Sequence, residues 1–212
     1  MPDPASPAAA LTLHAVRLLG FADTDRVAAR YGLDRDGTAS LLEDFRADGW
    51  VRRSEFAGTA GWSLTDLGRA EDERLLADEL AASGARGTVT EVHERFVPLN
   101  DRFQAAVTRW QLRPVGGSSF VANDHTDFRW DDRVIASLRS VGRRLGALED
   151  DLVRALPRFA GYAARYDAAM TRVVAGQHQW VDGVATDSCH LVWIQLHEDL
   201  LATLGLERGD GR

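Results

Sequence analysis

The sequence predicts a mainly α-helical protein in two parts: three short helices with a two-stranded hairpin, then an all-helical remainder. Three observations carry this. Apolar residues recur at steps of three and four along most of the chain, with long stripes in residues 88–112 and 131–151. One ribbon, "WVRRSEFAGTAGWSL" (residues 50–64), breaks the helical pattern with strand character. The run "SGARG" (residues 83–87) has the composition of a hinge and predicts a boundary between a domain at 9–83 and a second at 84–206.

In chain order, residues 1–8 are Pro- and Ala-rich and are expected to be disordered. Leu11, Ala15, Leu18 and Leu19 mark a helix over 9–20. Asp23 or Thr24 caps a short second helix, which Gly32 stops. Asp34 is the expected N-cap of a third helix over 35–48, with Leu41, Leu42 and Phe45 as its buried stripe and Gly49 as its end. In the ribbon, Val51 and the residues around Trp62 are strand-like, and Gly58 and Gly61 are expected to loosen the tip. A fourth helix is expected over 65–82.

The second part carries Val89, Val92, Phe96, Leu99, Phe103, Val107 and Trp110 on one helix. A loop is expected at 113–127, and Val134, Leu138, Val141, Leu145 and Leu148 stripe the next helix. Pro157 is expected to open a helix bearing Phe159, Tyr162, Tyr166, Met170 and Val173. Asp187 or Ser188 caps a last helix ending near Gly205.

The segment "VAARYGLDRDGTASLLEDFRADGWVRR" followed by "WSLTDLGRA" resembles the winged helix-turn-helix of MarR-like bacterial transcriptional regulators. Gly32, Leu33, Asp34, Leu41, Phe45, Gly49, Val51, Arg53, Leu64, Thr65, Gly68, Arg69 and Ala70 match that family's pattern, and the likeness covers residues 10–80. It implies a DNA-binding regulator, in the repressor sense, whose third helix enters the major groove while the hairpin lies along the backbone or minor groove. Two departures stand out. The tip "SEFAGTAG" has no basic residue, and residues 1–83 hold nine arginines against fifteen acids. Over residues 14–56 the balance is seven against eight, so the reading surface is near neutral. Few phosphate contacts per protomer mean weak binding by a monomer, which a homodimer on palindromic half-sites roughly 34 Å apart would recover. The expected DNA-binding residues are Arg35, Thr38, Ser40, Arg52 and Arg53. Arg35 can fork onto guanine, and Ser40 can meet a phosphate or a base edge. One of Arg52 and Arg53 can reach a phosphate, while Thr38 is read equally as packing.

A winged helix needs only about 70–80 residues, so the remaining helical mass is assigned to dimerisation and to an unknown small-molecule effector. Asp187, His190, Trp193 and His197 recur at steps of three, three and four on the last helix. With Trp130, His178 and Trp180 they form the expected ligand-binding set, aromatic walls with a few polar groups. His190 and His197 lie about 10 Å apart along a helix and cannot share one ion. Asp187 with His190 could supply two ligands, joined by His178 or His125 from elsewhere, but the cap and pocket readings are favoured and no metal or cofactor is expected. Asp187 is read as a helix cap orienting His190. Cys189 is either buried filler or a redox thiol at a helix N-terminus.

The net charge of −7 carries no bulk basic field, and all 25 basic residues are arginine. One cysteine excludes an internal disulfide and suits a reducing cytoplasm. The start of the chain lacks a signal-peptide pattern, and no apolar run approaches the roughly 20 residues of a membrane span. No phosphate loop, nucleophile elbow or partnered carboxylate pair is present, so no catalytic residue is expected. The bare, near-neutral hairpin leaves a second expectation open, a winged helix that docks on protein rather than DNA.

Overall fold

The computed structural model describes residues 7–56, 58–115, 119–184 and 186–207. It is mainly helical, and the chain folds as two compact units. One holds residues 7–84 together with 198–207; the other is Ala85–His197. The sequence reading put its boundary at 83/84, beside this division. The expected second domain, 84–206, loses its last stretch to the first unit.

In the first unit, α1 (Pro7–Leu19), α2 (Thr24–Tyr31) and α3 (Arg35–Ala47) precede the strands β1 (Val51–Phe56) and β2 (Thr59–Leu64) and the helix α4 (Asp66–Ser83). Residues 7 and 8, expected to be disordered, open α1; the rest of that expectation lies outside the described residues. The caps explain the helix limits. Asp23 accepts from Arg26 N and Asp34 from Gly37 N, and Gly32 takes φ 62° to close α2. Leu13, Val16, Val27, Leu42, Phe45, Val51 and Trp62 form one buried cluster, with Leu41 at its margin. The hairpin is antiparallel in the register Val51↔Leu64 to Phe56↔Thr59. Trp62 exchanges backbone hydrogen bonds with Ala22 and donates through Nε1 to Thr24 Oγ1. Gly58 adopts φ 78° at the turn, but Gly61 is not a tip residue. It pairs with Ser54 inside the ladder, where a Cβ would come within 2.6 Å of the Phe21 ring.

Beneath α1 lies a buried ionic group. His14 Nδ1 is 3.2 Å from Asp72 and its Nε2 is 3.1 Å from Asp199. Arg17 donates to Asp72, Glu73 and Glu198. Asp199 lies on α9 (Cys189–Leu204), whose later residues thereby complete the first unit.

The second unit is built on two long helices packed together, α5 (Arg86–Gln111) and α6 (Phe128–Ala155). The expected loop between them contains a short antiparallel pair, β3 (Leu112–Pro114) and β4 (Phe120–Ala122). Pro157 opens a 3-10 turn, Pro157–Phe159, and the next α-helix, α7 (Tyr162–Val174), starts only after Gly161 at φ 98°. A single turn, α8 (Gln179–Asp182), and the first half of α9 complete the unit. Ser188, not Asp187, accepts from Leu191 N at the head of α9. Among the described residues, no helix is long and apolar enough to cross a membrane.

Candidate functional site

Two surfaces bear on function, one in each unit. In the first, α3 buries Thr38, Leu42 and Phe45, spaced four and three apart, and turns its other edge outward. That outer edge carries Arg35, Asp36, Ser40, Glu43 and Asp44, all exposed. Thr38, expected among the DNA-binding residues, thus belongs to the packed edge rather than the exposed one. It is 1% exposed, and its hydroxyl donates to Asp34 O at 2.7 Å. The hydrophobic step pattern explains this, since residue 38 precedes Leu42 by one helical turn. Arg35 is exposed, but Asp25 and Asp36 hold its guanidinium at 2.6 and 3.1 Å. Their hydrogen bonds raise its already high pKa, so it is permanently cationic.

The hairpin presents the two arginines next to that edge in sequence. Arg52 donates to Ser63 Oγ across the ladder, and the Arg53 guanidinium lies 5.7 Å from the Trp62 ring centre. Both side chains are exposed. The seat of the hairpin explains the sequence "LTDLG". Thr65 Oγ1 donates to Gly49 O at 2.6 Å and accepts from Gly68 N at 3.1 Å. Gly68 sits so close to Trp50 that a Cβ would meet its carbonyl oxygen at 1.9 Å.

In the second unit Trp193, His190 and His197 share Phe96 and Phe103, whereas the other four expected ligand residues have other partners. Trp193 is 2% exposed, stacked between Phe96 and Phe103 at 4.9 and 4.6 Å, and donates through Nε1 to Asn100. It is a core side chain. His190 packs on Phe103 and His197 on Phe96. Burial lowers the pKa of His190, which is therefore neutral at physiological pH. Trp180 lies under the Arg172 guanidinium at 4.4 Å. Trp130 donates to Arg109 O and is flanked by the guanidiniums of Arg109 and Arg133. Asp187 does not orient His190. Both its oxygens accept from Arg165 at 2.6 Å, and Arg165 Nη2 also donates to Gln195 Oε1. Around that pair, Arg165 Nη1, Gln195 Nε2 and Thr186 Oγ1 are buried without a hydrogen-bond partner. The Gln195 amide orientation is set by chemistry, since its oxygen must face the Arg165 donor. Burial pushes the Cys189 thiol up to about 12, so it carries no thiolate at neutral pH.

His178 lies in a different cluster. Its ring is 5.2 Å from the buried Trp110 indole and 4.8 Å from His125. His125, Asn123 and Asp131 form a hydrogen-bonded group that the sequence reading left out of its ligand set. Asp131 is buried, and Asn123 bridges it to Trp110 O. The spacing of "NDHTD" carried a signal, two acids and an amide flanking a histidine, but nothing tied it to Trp110 or His178. A groove of about 390 Å³, lined in part by Arg139, Arg143, Tyr166 and Asp167, contains none of the expected ligand residues. Among the described residues, no group of three or more His, Cys, Asp or Glu side chains is placed to hold a metal ion.

No protein-family model matches the chain, and no curated protein or solved structure matches it either.

Proposed function

We propose that the chain is a DNA-binding transcriptional regulator of the winged helix-turn-helix kind, MarR-like in its first unit. In this reading it binds a palindromic operator as a homodimer and represses until an effector binds its second unit. One observation carries it: a helix with one packed and one bare edge, α3, leads directly into an antiparallel ribbon bearing Arg52 and Arg53. The effector role is supported by the three buried donors around Arg165 and Gln195, which an acceptor-bearing small molecule would satisfy. An effector with unequal affinity for two states of the dimer would change operator affinity by linkage.

The test is a titration of the full chain onto DNA from its own upstream region at two salt concentrations. The expected result is a complex whose affinity falls with salt, and whose salt slope drops by about one for each of Arg52→Ala and Arg53→Ala that removes a phosphate contact. A flat salt response, or a double variant that binds as the natural chain does, sinks the reading.

A second reading rests on Arg35. With Asp25 and Asp36 on its guanidinium and Glu43 and Asp44 beside it, the bare edge of α3 is net acidic. Such a face suits a protein partner better than a polyanion. The same titration separates the two, because no DNA complex at micromolar protein favours the protein-docking form.

A further inference from the structure

The cluster of Trp110, Asn123, His125, Asp131 and His178 has a chemistry that the regulator reading does not use. His125 takes φ 57°, the left-handed region, as a non-glycine residue. Such backbone persists where the surroundings over-determine it, often at ligand sites. Here Asn123 and Asp131 do the determining. The two amide hydrogens of Asn123 go to Trp110 O and Asp131 Oδ1, each at 2.9 Å, and its oxygen accepts from His125 N. With both amide hydrogens spent, Asn123 has none left for His125 Nδ1. That nitrogen, 3.0 Å from Asp131 Oδ2, therefore carries the proton and donates it to the carboxylate.

The tautomer is thus fixed, with the free lone pair on His125 Nε2. Among the described residues nothing hydrogen-bonds to that nitrogen, nor to either ring nitrogen of His178. A carboxylate on the far nitrogen is the arrangement that orients metal-binding histidines and raises their basicity. The ring separation agrees. With metal–nitrogen bonds of about 2.1 Å, each ring centre lies about 3.2 Å from the ion, so two such centres sit about 4.5–5.2 Å apart for angles between square and tetrahedral. His125 and His178 are 4.8 Å apart. The buried Trp110 indole, 4.3 Å from the His125 ring, supplies an apolar floor. Among the described residues no hydroxyl or thiol hydrogen-bonds to His125 Nε2, so none of them completes a nucleophile-activating dyad.

We propose that His125 Nε2 and an imidazole nitrogen of His178 bind one divalent transition-metal ion of the imidazole-preferring class, such as Zn²⁺ or Co²⁺, with water completing its coordination. Asp131 and Asn123 are positioning residues. The site lies within the second unit, and its test is independent of DNA.

The experiment titrates Zn²⁺, and separately Co²⁺, into the full chain, free of any affinity tag and stripped of metal, by calorimetry. The expected result is one ion per chain at micromolar affinity, weakened at least tenfold by His178→Ala and by His125→Ala. Asp131→Asn should weaken it about tenfold or more through the lost carboxylate. His197→Ala should leave it unchanged. His178 is exposed, so its variant keeps the fold and decides the matter even if His125→Ala does not fold. Absence of binding in the natural chain overturns the proposal. So does binding that survives His178→Ala undiminished, or weakening by His178→Ala alone beside a folded, unaffected His125→Ala.

Discussion

His14 has a carboxylate on each ring nitrogen, Asp72 on one and Asp199 on the other. A neutral imidazole can donate from only one nitrogen, so two carboxylates call for the imidazolium. Burial alone would lower its pKa, but the two charges and their hydrogen bonds outweigh burial and raise it above 6.5. The folded state holds the proton more tightly than the unfolded chain. Its stabilisation is therefore fully present below the unfolded value and is lost as pH rises through the folded value. Urea midpoints measured from mildly acidic to alkaline pH should fall over that window, and His14→Gln should flatten the slope. At acidic pH, His14→Ala should cost about 3–5 kcal/mol, because it leaves Asp199 buried without its cation. A pH-independent midpoint in the natural chain would mean the ring is neutral. His14 is flanked by the buried Leu13, Ala15 and Val16 on α1, but the sequence carries no sign of its partners, the further of which is 185 residues away. Trp193 was misjudged for a related reason. It shares a face of α9 with His190 and His197, while Asp187 lies before the helix, and periodicity alone does not say whether that face meets a ligand or Phe96 and Phe103.

Elements fared best where local chemistry sets their limits. The caps Asp23, Gly32 and Asp34 were legible because each acts within a few residues of itself. The pair β3–β4 was not, since its strands have three residues each and lie in a stretch rich in Gly, Ser and Pro that reads as loop. Pro157 signals a helix start, yet Gly161 at φ 98° delays the α-helix to Tyr162. The start of α4 shows local and long-range demands meeting at one residue. Gly68 lies against the Trp50 carbonyl with no space for a methyl group. Gly68→Ala should therefore lower stability by about 2–3 kcal/mol, despite alanine's better helix propensity. A rise in the urea midpoint would mean that α4 shifts freely off the hairpin. Thr65→Val tests the same seat from the other side. It removes the hydroxyl that joins Gly49 O to Gly68 N and should cost about 1–2 kcal/mol.

For the whole molecule, the net charge of −7 means that the proposed DNA affinity would have to come from local geometry and from two copies acting together. Sedimentation of the full chain should give a species of twice 23.3 kDa at the concentrations used for DNA titration. A monomer throughout, combined with tight operator binding, would remove avidity from the account. The sequence reading divides the chain at "SGARG", next to the first border between the units, and has nothing at the second. There an uninterrupted helix, α9, gives no compositional signal as it passes from one unit to the other. That passage bears on biosynthesis. Asp199 leaves the ribosome 185 residues after His14, so the nascent first unit gains its second carboxylate on that ring only after the whole of Ala85–His197 has been made. Until then the imidazole has Asp72 without Asp199, and the unit is a partly built body.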